Sequence, residues 1–232
     1  MEAFYYAYLE KGLIGKLGYE LGDIPFFLAG VLCVIVAYLL GSINFAIIFS
    51  EKIHHDDVRS HGSGNAGSTN MLRTYGVKSA ALTFLGDVLK AVVSALIGLF
   101  VMPYQTGFMY VTALVCMIGH AFPIYYGFKG GKGVACLAGV ILVVNPPLFV
   151  LMFFVFAFIL LLTNYVSLGS IICAVVFPIM NNIIPFYVSP VPPVGIIAAV
   201  LMGLFVIFLH RKNIGRLLKG EESKVSLFKK KK

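Results

Sequence analysis

The sequence predicts an all-α protein, a polytopic transmembrane bundle of about seven spans with its N-terminus outside and its C-terminus in the cytoplasm. Three observations carry this prediction. Of the 232 residues, 59% are hydrophobic and only 12% are charged, about half the roughly 25% usual in soluble domains. Mean hydropathy is +0.94, more apolar surface than a water-soluble fold of this length could hide. Charges and Gly/Pro clusters cut the chain into apolar blocks near the roughly 20 residues that cross a hydrocarbon core. Finally, the cations segregate. Of the 18 Lys and Arg, fifteen fall within 51–78, within 126–134 or beyond 210, and the alternate connections near Pro103, Asn145 to Pro147 and Pro185 to Pro193 hold none. The positive-inside rule places the cation-rich segments in the cytoplasm, which requires an odd number of crossings.

The elements follow in order. Residues 1–25 form a lead in which Glu2, Glu10, Glu20 and Asp23 outnumber Lys11 and Lys16. A secretory signal would begin basic; this lead fits an interfacial helix and equally a disordered arm. Residues 26–222 form the transmembrane domain, with spans expected at about 26–49, 79–101, 106–125, 133–145, 147–163, 167–184 and 194–210. The fourth block is short for a crossing. Residues 223–232 form a basic tail whose run from Lys229 to Lys232 suits anionic lipid. No stretch outside the spans can make a separate globular domain, so any chemistry is built from loops and helix ends. Cys33, Cys116, Cys136 and Cys173 each sit in an apolar block and read as buried small hydrophobes. Asp87 and Lys90, three residues apart within a span, are costly in hydrocarbon and should face the bundle interior, as a structural ion pair or as part of a site.

Three cytoplasmic segments carry candidate chemistry. The first runs His61-Gly62-Ser63-Gly64-Asn65-Ala66-Gly67-Ser68-Thr69-Asn70-Met71-Leu72-Arg73. Its glycines let the backbone aim N–H groups at an anion, its hydroxyls add donors without bulk, and Arg73 can grip a phosphate bidentately. A plain connecting loop fits the same composition. The second joins Gly119-His120 to Gly127-Phe128-Lys129-Gly130-Gly131-Lys132-Gly133-Val134. Two lysines among glycines ahead of an apolar helix suit phosphate at a helix N-terminus. It is not a Walker A loop, because Tyr126 and Gly133 stand where the first glycine and the magnesium-binding hydroxyl belong. Positive-inside topology alone would also account for these lysines. The third, His210 to Glu221, sets His210 and Asn213 on one face of a continuing helix; its cations also suit lipid headgroups. His54, His55, Asp56 and Asp57 read as a solvated loop rather than a metal site.

Together these segments resemble the acyl-phosphate-dependent glycerol-3-phosphate acyltransferases, bacterial integral membrane enzymes that begin phospholipid synthesis. The likeness also takes in Leu39-Leu40-Gly41-Ser42-Ile43 and Tyr165-Val166-Ser167-Leu168, and runs from about residue 30 to 222. Ser68 stands where alanine is usual, Asn44 where proline is frequent and Cys136 near a usual threonine. The resemblance implies direct transfer of a fatty acyl group from acyl phosphate to the sn-1 hydroxyl of glycerol 3-phosphate. The products would be lysophosphatidic acid and inorganic phosphate. It implies Ser63, Arg73, Lys132, His210 and Asn213 as catalytic residues, the first three on phosphate groups and the last two orienting glycerol or the attacked carbonyl. It further implies that Asn65, Gly67, Ser68, Thr69, Asn70, His120, Lys129, Gly130, Gly131 and Gly133 bind substrate. The proton acceptor is left open between His210 and a substrate phosphate. No cofactor, metal, nucleic acid or obligate protein partner is expected; the partners are the two substrates and membrane lipid. The implied location is the bacterial inner membrane, with the site facing the cytoplasm.

Two rival readings have sequence-level tests. A phosphotransferase needs metal-binding carboxylates near the basic loops, and the cytoplasmic segments offer Glu51, Asp56, Asp57 and the pair Glu221 and Glu222. An organic-phosphate transporter places polar, broken helices near the midplane in repeated halves, whereas here the polar clusters lie at one face. The chain has neither the H-x-x-x-x-D of another glycerolipid acyltransferase family nor a G-x-S-x-G elbow, so a covalent acyl-enzyme is not expected.

Overall fold

The computed structural model describes residues 23–102, 106–184, 186 and 190–225; nearly all of the expected lead and the Lys229 to Lys232 run lie outside these residues. The first apolar block, expected as one span over 26–49, is divided into α1 (Asp23–Ser42) and α2 (Phe45–His54). The break falls at Ile43 and Asn44. Asn44 is extended, and its Oδ1 accepts from the Ile47 amide at 3.1 Å, satisfying one of the free donors at the start of α2.

Local chemistry sets the other boundaries. Gly76, at φ 85°, closes α3 (Ser68–Tyr75) and opens α4 (Val77–Val101), a conformation that side chains disfavour. Helix α5 (Phe108–Ala121) stops at Phe122, which Pro123 pushes out of the helical region. Gly133 in the left-handed region precedes α6 (Val134–Val144). Asn145 then caps α7 (Pro146–Thr163), accepting from the Leu148 amide at 3.1 Å, with proline in the first turn. Helix α8 (Val166–Ile183) follows, then α9 (Pro193–Leu209) and α10 (Arg211–Leu218). The last two are bent by 57° at His210, so His210 and Asn213 do not ride one continuous helix as expected.

Among the described residues five segments are long and apolar enough to cross a membrane, and a sixth if α9 and α10 count together. Helix α6 is too short. Its 11 residues give roughly 16 Å against about 30 Å of hydrocarbon, so the fourth expected span is about half a bilayer long.

That short helix makes room for a site. Gly139 of α6 lies so near α4 that a β-carbon there would meet the Val88 carbonyl oxygen at 2.5 Å. Val134 thus comes roughly level with Phe84, and the first two turns of α4 stand beyond it. Helix α7, with 18 residues, returns antiparallel and outruns the 11 of α6 by seven, roughly 10 Å at 1.5 Å per residue. Helices α4 and α7 flank α6 but barely touch each other, leaving a hollow over its N-terminal end. Below it the core is apolar, built from Tyr110, Met117, Val140, Leu148, Phe177 and Met202.

Candidate active site

The hollow is a cavity of about 440 Å³. All three candidate segments reach it. Ser63, Asn65, Gly67, Ser68, Thr69, Asn70 and Arg73 line it from the first, Lys132 and Gly133 with His120 from the second, and His210 and Asn213 from the third.

Asn70 organises the first loop. Its Oδ1 accepts from the Ser63 amide at 3.0 Å, while its Nδ2 donates to the carbonyls of Val58 at 2.9 Å and His61 at 3.0 Å. Gly62, at φ 57°, passes so close that a β-carbon would strike Asn70 Oδ1. Nearly all of the Asn70 amide is therefore engaged in holding Ser63 at the cavity wall. Asp56 and Asp57 brace the loop base. Asp56 meets His61 Nε2 at 2.6 Å and accepts from the Tyr75 hydroxyl at 2.8 Å. Asp57 pairs with Arg59 at 2.8 Å, and Arg59 donates across to the Tyr126 carbonyl at 3.0 Å. His54 contacts Ser79 Oγ at 2.7 Å and stacks on Tyr75. His54, Asp56, Asp57 and His61 are thus spent on local structure, while His55 is exposed. Gly67 gives α3 no side-chain cap, which leaves the first amides of that helix free beside the cavity.

The second loop is a tight return. Gly130 donates its amide to the Ala121 carbonyl and Gly131 to that of His120, both at 3.1 Å. Those N–H groups, expected to face an anion, are used within the loop. Lys129, Gly130 and Gly131 are not in the cavity wall. The glycines are required instead by close packing: a β-carbon on Gly131 would overlap the His120 ring, and one on Gly130 the His120 carbonyl. Lys132 and Gly133 do reach the cavity, together with Val134 and Ala135 of the first turn of α6, whose opening amides have no side-chain cap.

Lys132 is the central cation. Its Nζ donates to Asn213 Oδ1 at 2.5 Å. Burial pushes its ammonium down to about 8, with the nearby Glu222 carboxylate acting in the opposite direction and Arg216 and Arg73 adding to the fall. Asn213 Nδ2 donates to Glu222 Oε1 at 2.7 Å, which also accepts from Ser167 Oγ at 2.8 Å; Arg216 Nε donates to Oε2 at 2.6 Å. Burial alone would raise the Glu222 carboxyl, but the hydrogen bonds from Arg216, Asn213 and Ser167 outweigh it and hold it below its usual value. His210 Nδ1 lies 2.7 Å from the Val206 carbonyl. A carbonyl only accepts, so Nδ1 carries the proton and Nε2 keeps its lone pair.

Glu222, Ser167 and Ser170 are wall residues that sequence reasoning passed over as a site. Ser167 lies in the Tyr165 to Leu168 motif, which was a signal without a role. Nothing in the sequence marks Glu222 apart from Glu221. It reaches the cavity because residues 221–225 double back as a strap. Arg73 donates to the Ser223 carbonyl at 3.1 Å and Val225 donates to that of Asn164 at 2.9 Å. Apart from Asp87 of α4, beside His120, the remaining wall is apolar: Val77, Ala80, Ala81 and Phe84 from α4, with Phe156 and Leu160 from α7. The cavity thus joins a polar, cation-bearing end to a greasy cleft between two helices that do not pack together.

Known proteins resemble this chain in sequence and in fold. The glycerol-3-phosphate acyltransferase family profile matches residues 31–220. A glycerol-3-phosphate acyltransferase of Clostridioides difficile is 42% identical over 202 residues, covering 84% of this chain and 95% of that protein. One from Thermoanaerobacter sp. is 44% identical over 195 residues with the same coverage. The crystal structure of PlsY, an integral membrane glycerol 3-phosphate acyltransferase, in its glycerol 3-phosphate form superposes with a TM-score of 0.78 at 36% identity, over 85% of this chain and 96% of that one. Its lysophosphatidic acid form gives 0.76 at the same identity, over 85% and 95%. A cavity assembled from all three motif segments, a shared fold and this extent of identity lead to one conclusion: the chain belongs to the glycerol-3-phosphate acyltransferase family.

Proposed function

We propose that this protein transfers a fatty acyl group from acyl phosphate directly to the sn-1 hydroxyl of glycerol 3-phosphate, at the cytoplasmic face of a bacterial inner membrane. The observation that carries the reading is the two-part cavity. Its polar end supplies Arg73, Lys132 and the free amides of α3 and α6 to phosphate groups. Its apolar end, between α4 and α7, suits a chain that stays in lipid. Related structures named for glycerol 3-phosphate and lysophosphatidic acid forms are consistent with an acceptor and a product of this kind.

In the transfer the hydroxyl oxygen forms a bond to the acyl carbon, the bond from that carbon to the phosphate oxygen breaks, and inorganic phosphate leaves. The hydroxyl proton passes to His210 Nε2 or to a substrate phosphate. An acyl phosphate is already activated, so positioning two anions side by side and screening their charge carries much of the barrier. Ser63, Asn65, Ser68, Thr69 and Gly133 are assigned to binding because they line the polar end. Asn70 and His120 also line it, but we assign them to holding the loops.

A seven-pass topology is supported by the path of the chain. Lys132 meets Asn213 at one end of the bundle, while Asn145 donates to the Ile184 carbonyl at 2.5 Å at the other. The connection between them is α6, which starts sunken and therefore reaches the far end despite its length. An even number of passes then separates the cation-rich segments, which keeps them on one side.

Purified protein in lipid, given palmitoyl phosphate and glycerol 3-phosphate, tests the reading. Phosphate release should require both substrates, and lysophosphatidic acid should form in equal amount without a labelled acyl-enzyme. Full-rate transfer from acyl-CoA would overturn the donor assignment.

A further inference from the structure

The motif Leu39 to Ile43 and the buried charges Asp87 and Lys90 were given no role in the transfer described above, yet they meet at one place, where Asp87 and His120 also border the cavity. The chain breaks there between α1 and α2, and the break is held by a single ammonium. Lys90 Nζ donates to the Gly41 carbonyl at 2.9 Å and to that of Ile43 at 2.5 Å; it lies 2.9 Å from Asp87 Oδ1 and 2.9 Å from His120 Nδ1. Lys90 and His120 are nearly fully buried and Asp87 fully so. A helix end leaves carbonyls without partners, and hydrocarbon holds no water to supply them. The lysine supplies them from α4.

Both site loops are fastened to the same break. Asn44 Nδ2 donates to the Ala66 carbonyl of the first loop at 3.3 Å, and Ser42 Oγ accepts from the Ile124 amide ahead of the second at 3.3 Å. His120, in contact with Lys90, carries the return of the second loop through its carbonyl. The loops touch here as well: a β-carbon on Gly131 would lie 2.9 Å from the Ala66 carbonyl oxygen and overlap His120 Nε2. Close helix packing keeps the joint tight, since a β-carbon on Gly41 would strike the Cys116 carbonyl and one on Gly119 that of Tyr38.

We propose that Lys90, with Asp87 and His120, is a positioning group for the acyl transfer: it clamps the break in the first span, and the break sets the loop of Ser63 and Arg73 against the loop of Lys132. The inference rests on the proposed function for its kinetic arm only. None of the three side chains is given a bond to the reacting atoms. Their effect is exerted through backbone they hold.

The experiment pairs a distance with a rate. Spin labels on cysteines placed at Ser60 and Tyr125, both exposed, report the separation of the two loops, and the four native cysteines are buried. Lys90→Met alone strands a buried carboxylate, which is destabilising in itself. The variant to measure is therefore Lys90→Met with Asp87→Asn, which removes both charges. Gly131→Ala is the second variant; it wedges the joint with the ion pair intact. The expected result is a broadened or shifted distance in both, with kcat/KM for glycerol 3-phosphate down by about 10²-fold, as for a misplacement of order 1 Å. Unchanged distances in folded protein overturn the proposal whatever the rate does, and so does a wild-type rate. If the double variant does not fold, Gly131→Ala alone decides by the same two readouts. An inactive wild-type protein would instead count against the proposed donor or acceptor, while the distance measurement would still judge the clamp.

Discussion

Lys132 concentrates the electrostatics of the site. Its ammonium, at about 8, is charged below that pH and neutral above it, so the unliganded protein loses its central cation as pH rises through 8. KM for the phosphate-bearing acceptor should climb above pH 8 by up to about tenfold per unit, and Lys132→Arg, which stays charged, should flatten that limb in a pH series of initial rates. Lys132→Ala and Arg73→Ala should each insert and fold but lose about 10²-fold or more in kcat/KM; wild-type rates in both would remove them from the site. His210→Gln separates the two proton acceptors. A fall in kcat of about 10² to 10⁴ assigns the proton to Nε2, and a near-normal kcat assigns it to phosphate. The cations and hydroxyls behind these predictions were legible in the sequence because phosphate chemistry has a recognisable composition. Glu222 was not legible, because its position depends on the return of the strap rather than on spacing.

The apolar cleft belongs to two elements, α4 and α7, with α8 as backing. Phe156 of α7 lies over Gly169 of α8, where a β-carbon would meet its ring at 2.9 Å. Gly169→Ala should push that ring into the cleft and slow transfer from bulky donors more than from slender ones. Phe156→Ala should relax the same discrimination. Competition between straight and branched acyl phosphates read by mass spectrometry checks both, and equal ratios in all three proteins would show that the ring lies away from the chain. Helix boundaries at Gly76 and Asn145 could be read from local chemistry, whereas the span expected over 106–125 ran past Pro123 and the helix stops at Ala121. The break at Ile43 and Asn44 was harder to read, because Gly41, Ser42 and Asn44 sit inside a long apolar run and the clamp that tolerates the break comes from Lys90, far along the chain. Gly130 and Gly131 show the opposite case: their type was conspicuous, but the structure uses their small size rather than their amides.

For the whole molecule, the seven apolar blocks and their cation bias were visible at once, since both follow from the solvent in which the chain lies. The hollow was not. It arises from a length mismatch between α6 and its neighbours, and the short block announced itself in the sequence without showing what would fill the space above it. Membrane-impermeant labelling of single cysteines at Ser60, Tyr125 and Lys219 should mark all three from the cytoplasmic side of oriented vesicles, in step with their convergence on one cavity. Protection of any one of them in inside-out vesicles, with labelling from the opposite face, would contradict the proposed topology.

The doubling back of residues 221–225 bears on how the enzyme comes into being. Every described helix precedes Glu222 in the chain, yet Asn213, Ser167 and Arg216 have no carboxylate to gather them until the strap folds back. Competence is therefore conferred by the strap rather than by the bundle alone. A chain stopped at Lys219 would lodge in the membrane as a well-inserted but idle protein.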